Sequence, residues 1–486
     1  MSTETEAGQR RRRRVRLTPV RPIPVEFTGE RAGEGPLTLG RLDCYMWLSR
    51  MPDHFYAILC VEFPVPAMVS VDDVAAAVAV LIARHESLRT TYVPGEQPRQ
   101  RVAAAGVQLL EICSLGEGQW GPRDRPAVAE ALTRWLRESP DPGRRLLRVA
   151  VAIAPGAGDQ VIACAAAFSH LAVDHDAIEI LKRDFAGLLG DLPLRPADRP
   201  GHQPLDQAGL EATSAERRRG DAALDSLREQ SWRFPRCLYA LPGTRASGES
   251  LVVELSSVAA AMAVRRVAAR TRTSRSSVVL AAICAVVARR ANYRELVFPV
   301  LSSNRFERHL ANYVGTLAQG TIATIEVGER SFDELAGHTW MRVMEASRHG
   351  RYDGVKQAAI DKLIEHERGL LRLNYEPFFN NLVPESWSAL TAGVGFQPEE
   401  IDVALARTEL RWRPMPFSGT PIRFILNQVD ARLRLDAWSA DTGLVPRAEL
   451  ESLLLAVERL LATAAHGDVA GTRMPEIIGL EPIAAT

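Results

Sequence analysis

Eight consecutive apolar residues, Val161 to Phe168, run into the polar stretch Ser169-His170-Leu171-Ala172-Val173-Asp174-His175, and Ala177 to Phe185 then reads as a helix. An apolar run of this length reads as a buried strand, which commits the chain to a sheet with covered faces. The polar stretch is therefore a loop at a strand exit. A histidine there, with an acid four residues on, can hold one imidazole ready for proton transfer. Taken alone, a histidine at a strand end is more often structural than catalytic, so the rest of the chain must decide.

At 486 residues the chain is too long for one ordinary core, and two lobes are expected. Residues 1–35, rich in Arg, Pro, Gly and Glu, read as a flexible leader, and its run Arg10 to Arg14 with Arg16 reads as a solvated segment. The first lobe is expected over 36–205. Within it, Tyr56 to Phe63 is a strand candidate, and Val71 to Arg84 a helix with Asp72 and Asp73 in its first turn. Leu146 to Ile153 and Gln160 to Phe168 read as a hairpin that delivers His170 to the lobe edge. Pro193, Pro196, Pro200 and Pro204 mark a change of composition, and 206–486 is expected to form the second lobe. A charged surface helix is expected over Glu216 to Arg228, a strand over Leu251 to Leu255, and helices over Ser257 to Arg270 and Ser277 to Arg289. Leu296 to Leu301, Phe424 to Leu426 and Leu433 to Trp438 read as further strands, before a closing amphipathic helix, Glu449 to Ala464. This alternation predicts an α/β (α+β) protein of two lobes.

Composition removes several functions. The formal net charge is zero, so no global field favours nucleic acid. No apolar run approaches a membrane span, and no h-region follows the N-terminal arginines. The six cysteines form no CxxC pair and no metal-like spacing with histidine, which reads as reduced core thiols in a cytoplasmic protein. There is no Gly-rich phosphate loop, HExxH or GxSxG. Leu224-Asp225-Ser226-Leu227 echoes the modified serine of carrier proteins but sits in a charged helix, and reads as chance.

Ser169 to His175 resembles the HHxxxDG signature of nonribosomal peptide condensation domains and their chloramphenicol-acetyltransferase-like relatives, with His170 on the second histidine and Asp174 on the aspartate. Arg84-His85-Glu86-Ser87-Leu88-Arg89-Thr90-Thr91-Tyr92 resembles the family's RHExLRTxF block. Leu37 to Leu48 is similar to its opening helix, Asn312 to Leu317 to its VGxFxNTL block, and Asn374 to Asn381 to a loose form of the late PxF block. Order and spacing agree along roughly 36–470. The resemblance implies two lobes in a V with a central tunnel and His170 at its middle. It implies a freestanding condensation enzyme that joins an acyl or aminoacyl thioester, held on the phosphopantetheine arm of a carrier protein, to an amine or hydroxyl acceptor, with no cofactor of its own and no metal. It also implies a salt bridge from Asp174 to an arginine of the second lobe, matched here by Arg305 in Ser302-Ser303-Asn304-Arg305.

Two positions depart from the signature. Ser169 replaces the first histidine and can still satisfy a neighbouring backbone group. His175 replaces a glycine, which would have permitted positive φ and close substrate approach. That change keeps two alternatives open beside the condensation enzyme: an acyltransferase of the same superfamily using acyl-CoA, and a catalytically silent protein that docks carrier enzymes. The sequence names neither donor nor acceptor, and assigns no substrate-binding residue.

Overall fold

The computed structural model describes residues 15–49, 58–118, 120–139, 146–156, 158–190, 201–236, 238, 245–373, 375–383, 397–415 and 420–483. The chain divides into two compact units. The first comprises 1–213 and 305–317, the second 214–304 and 318–486.

In the first unit, strands β1 (Leu17–Pro19), β2 (Ile23–Thr28), β4 (Ile58–Phe63), β7 (Ala105–Leu115), β8 (Leu147–Ile153) and β9 (Val161–Ser169) form a sheet in the order β1-β7-β8-β9-β4, with β2 also on β7. β3 (Gly33–Pro36), β5 (Thr90–Val93) and β6 (Arg99–Val102) form a smaller one. β9 is covered on both faces, as its unbroken apolar run requires. Ala163, Ala165 and Ala167 meet Val128, Ala129, Leu132 and Leu136 of α3 (Arg125–Glu138). Cys164, Ala166 and Phe168 face the core shared with α2 (Val71–Arg84) and α4 (His175–Leu188). Alanines on the α3 side let the helix lie close to the sheet. β8 and β9 pair antiparallel, as the hairpin reading expects. α2 starts at a capping box between Ser70 and Asp73.

In the second unit the sheet order is β12 (Gln319–Glu326), β11 (Glu295–Ser302), β13 (Phe378–Asn381), β15 (Ile422–Gln428), β16 (Leu433–Ser439), β10 (Leu251–Ser257), β14 (Glu409–Pro414). One face carries the large core with α7 (Val258–Thr271), α8 (Arg275–Ala291), α9 (Phe332–Ser347) and the helix Arg447–His466. α8 is buried from Ser277 through Ala288. On the opposite face, Val297 and Ile322 pack against α6 (Ser214–Ser231) and α10 (Gly354–Glu367). Leu224 and Leu227 are core positions of α6. No described single helix is long and apolar enough to cross a membrane. α7 and α8 pass such a test only as a pair bent by 105°.

Three sequence expectations change. The expected leader 1–35 contains strands from Leu17 onward, while 1–14 lie outside the described residues. β7 is eleven residues long and offers an edge that β1 and β2 fill, and the prolines Pro19 and Pro24 suit such edge strands. The first unit runs past 205 to 213, because α5 (Pro204–Glu211) packs on β3 and its Glu211 accepts from the Leu39 N–H at 2.8 Å. Arg305, expected in the second lobe, belongs to the first unit with the rest of 305–317.

Candidate functional site

Asp174 caps α4, its Oδ1 accepting from the Ala177 N–H at 3.0 Å. The same carboxylate takes both guanidinium arms of Arg305, at 2.7 and 2.8 Å, and the Leu317 N–H at 2.9 Å. Both oxygens therefore accept two hydrogen bonds each, and no lone pair remains for His170. Burial alone would raise the Asp174 pKa. The charge and hydrogen bonds of Arg305, with the two backbone donors, overcome burial and hold it below the usual carboxylate value. Arg305 also donates to the Gly315 carbonyl at 3.0 Å. The ion pair is internal to the first unit: it fastens 305–317 against the histidine loop.

The chain leaves β11 for this segment at Asn304, whose φ of 55° an asparagine tolerates. The Asn304 amide donates to the Gly350 carbonyl at 2.6 Å. Close approach is required at Gly40 in helix α1 (Leu39–Ser49). A Cβ there would lie 2.6 Å from the Thr316 carbonyl oxygen.

Three successive carbonyls of the histidine loop each receive a side-chain hydroxyl. Thr316 donates to the His170 carbonyl at 2.5 Å, Tyr92 to that of Leu171 at 2.7 Å, and Ser87 to that of Ala172. Buried Arg41 in turn donates to the Ser87 hydroxyl and to Gln100. The block Arg84 to Tyr92 thus buttresses the loop from below. His85 shares a hydrogen bond of 3.0 Å with buried Asp184 of α4, and Arg84 reaches the same carboxylate at 3.3 Å. Thr316, Tyr92, Ser87 and Arg41 lie in segments that the sequence reading quoted but did not place at the site. Their hydroxyl or guanidinium chemistry was visible, whereas their partners are backbone atoms that no side-chain pattern marks.

With its loop held in this way, His170 sits one residue beyond β9, partly exposed, its Nδ1 buried with no hydrogen-bond partner. The edge of the Trp47 ring meets the imidazole at a centroid distance of 5.9 Å. Burial pulls the His170 pKa below its usual 6.5, opposed by nearby backbone carbonyls and by Asp174 and reinforced by His175. Burial thus favours the neutral ring. With Nδ1 enclosed, Nε2 is the ring nitrogen left to act on a reacting group, and the lowered pKa favours the unprotonated state suited to take a proton.

Ser169 pairs with Ile58 in the sheet, and its hydroxyl accepts from the Leu171 N–H at 3.3 Å. His175 is the first residue of α4, with no left-handed backbone. The expected need for glycine does not arise, because the chain is already helical there. Of the cysteines, Cys44, Cys60, Cys113, Cys164 and Cys284 are free thiols, and Cys237 lies outside the described residues. Burial pushes all five up, Cys113 to about 12, which leaves them protonated and poorly suited to nucleophilic work. No group of three or more His, Cys, Asp or Glu able to hold a metal occurs among the described residues.

No protein-family model matches the chain. No curated protein matches it either. Solved structures do match. The condensation domain studied for chain release from the enacyloxin polyketide synthase is 18% identical, over 90% of this chain and 83% of that one, with a TM-score of 0.64. The SgcC5 protein from Streptomyces globisporus, solved with (R)-(-)-1-(2-naphthyl)-1,2-ethanediol and sucrose, is 17% identical over 88% and 98%, with a TM-score of 0.65. The X-domain from teicoplanin biosynthesis, solved in complex with OxyB, is 20% identical over 90% and 94%, with a TM-score of 0.58. The fold is thus that of condensation domains, of the chloramphenicol-acetyltransferase-like class.

Proposed function

We propose that this protein is an acyltransferase that forms an amide or ester from a carrier-protein-bound thioester, in natural-product biosynthesis in the cytoplasm. The observation that carries the reading is the histidine loop itself: His170 stands at the exit of β9 with three successive loop carbonyls pinned by the hydroxyls of Thr316, Tyr92 and Ser87. The acceptor's nitrogen or oxygen attacks the thioester carbonyl, and the new C–N or C–O bond forms. Its proton passes to His170 Nε2. The C–S bond then breaks, and the pantetheine thiolate leaves with the proton that His170 returns. Holding the acceptor in line at Nε2 contributes beyond proton transfer, since it makes the attack effectively intramolecular. Asp174 and Arg305 fix the loop and take no part in bond making. The phosphopantetheine arm belongs to the carrier, and no resident cofactor is needed for this chemistry.

The test is acyl transfer from a loaded holo-carrier against the same acyl group on CoA. Carrier contacts remote from the thioester contribute binding energy that orients it, so the carrier donor is expected to be the more efficient. Equal or better efficiency with acyl-CoA would replace this reading with the CoA-dependent alternative. A second reading is favoured by one neighbour: the teicoplanin X-domain was solved bound to OxyB, a protein partner. A folded protein that turns over neither donor but binds a holo-carrier or a carrier-associated enzyme would support that docking role.

A further inference from the structure

In the second unit, three strands place an arginine between two aromatic rings. Arg423 of β15 pairs in register with Phe378 of β13 on one side and with Trp438 of β16 on the other. Its guanidinium carbon lies 5.1 Å from the Phe378 ring centre and 5.7 Å from that of Trp438. All three side chains project from the sheet face opposite the α7–α8 core, since their neighbours Phe379, Phe424 and Ala437 point into that core. The guanidinium donates from Nε to the Thr420 hydroxyl at 3.3 Å, and among the described residues no carboxylate pairs with it.

Ring faces attract a cation, but more weakly than an ion pair compensates a charge taken out of water. Burial accordingly pulls the Arg423 pKa down to about 10. One further orphan lies on the same face. The buried Oδ1 of Asn380 has no hydrogen-bond partner, and Asn380 pairs with Ile425, two positions along β15 from Arg423. A cation paired with no carboxylate, set beside an acceptor without a donor, is an arrangement that a ligand carrying both would complete.

We propose that Arg423, walled by Phe378 and Trp438, binds a carboxylate of the substrate, with Asn380 taking a hydrogen-bond donor of the same molecule. The substrate class is then an acid that also bears an amine, amide or hydroxyl group. This deepens the acyl-transfer reading and rests on it for the word substrate. The site itself is a binding site whether or not transfer occurs. The in-plane fork of a guanidinium matches a carboxylate, and its faces are already taken by the rings. A phosphate, as on a pantetheine arm, shares the anionic chemistry and is the competing source.

The test is thermal unfolding and titration calorimetry of the full chain with three probes: N-acetylphenylalanine, its carboxamide, and 4′-phosphopantetheine. The free acid is expected to raise the melting temperature of the wild type and bind at least tenfold tighter than the carboxamide. That difference should vanish in Arg423→Met and persist partly in Arg423→Lys. The ligand-free Arg423→Met protein is expected to be no less stable than the wild type, because the unpaired charge is a cost. A wild type that ignores the acid, or responds only to 4′-phosphopantetheine, overturns the proposal. So does Arg423→Met unfolding early while the wild type prefers no anion, which would make the stack a structural element. Binding with no transfer would leave this site standing and remove the enzymatic reading.

Discussion

His170 is set apart from an ordinary core histidine by how its neighbours hold it. Its carbonyl is anchored by Thr316, the Trp47 ring meets its imidazole, and the Asp174 carboxylate is engaged by Arg305, Leu317 and Ala177. His170→Ala is expected to lower turnover by about 10²–10⁴ without changing the fold, measured in the carrier-loaded assay and by circular dichroism. The pKa lowered by burial gives the sign of the pH profile. The base must be neutral, so kcat/KM should rise with pH through a midpoint below 6.5 and be flat above neutrality. A midpoint above 6.5 would contradict burial as the controlling influence. Thr316→Val removes the hydroxyl that holds the His170 carbonyl. Turnover is expected to drop by about tenfold to 10²-fold through misplacement of the ring, with the pH midpoint unmoved and serine at 316 restoring most of the rate.

Among the elements, the loop, α4 and the segment 305–317 act as one unit held at Asp174. The Asp174 and Arg305 side chains are 3% and 9% exposed, so removing either strands a buried charge. Each single alanine variant is expected to lose about 3–5 kcal/mol, and the double variant much less than the sum. Chemical denaturation of the four proteins measures this, and additive losses would refute the coupling. The folded-state pKa of Asp174 lies below its unfolded value. Its stabilisation is therefore fully present above the ordinary carboxylate pKa, about 3.9, and is lost as pH falls through the lower folded value. The stability gap between wild type and Asp174→Asn should be constant at neutral pH and close only in strong acid.

At the level of the whole molecule, chain order and compact units do not coincide. Thirteen residues that follow β11 of the second unit complete the first. A fragment ending at 213 lacks Arg305, Thr316 and the Leu317 N–H, and so strips Asp174 of its Arg305 and Leu317 donors. Such a fragment is expected to melt well below the intact chain and to protect its histidine loop poorly from hydrogen exchange. A fragment as stable as the whole would show that 305–317 is dispensable.

Local pattern alone determined a good deal of this protein. The apolar run of β9, the hairpin with β8, the apolar run Val278 to Ala288 of α8 and the acids opening α2 each declare themselves, because burial period and capping chemistry are written in consecutive residues. The motif blocks likewise drew together Asp174 and Arg305, whose side chains pair. Tertiary structure decided the rest. Residues 17–36 look like a leader because edge strands with proline are short and polar, and only the edges of β7, for β1 and β2, and of β6, for β3, recruit them. Position 175 looked as if it wanted glycine until the helix was seen to begin there. The hydroxyls of Ser87, Tyr92 and Thr316 become positioning groups only when the chain brings them onto three adjacent carbonyls. Those carbonyls are the same in every residue, so no sequence can announce that they will be bound, and only the closed fold, which must satisfy each one it buries, decides which side chain does it.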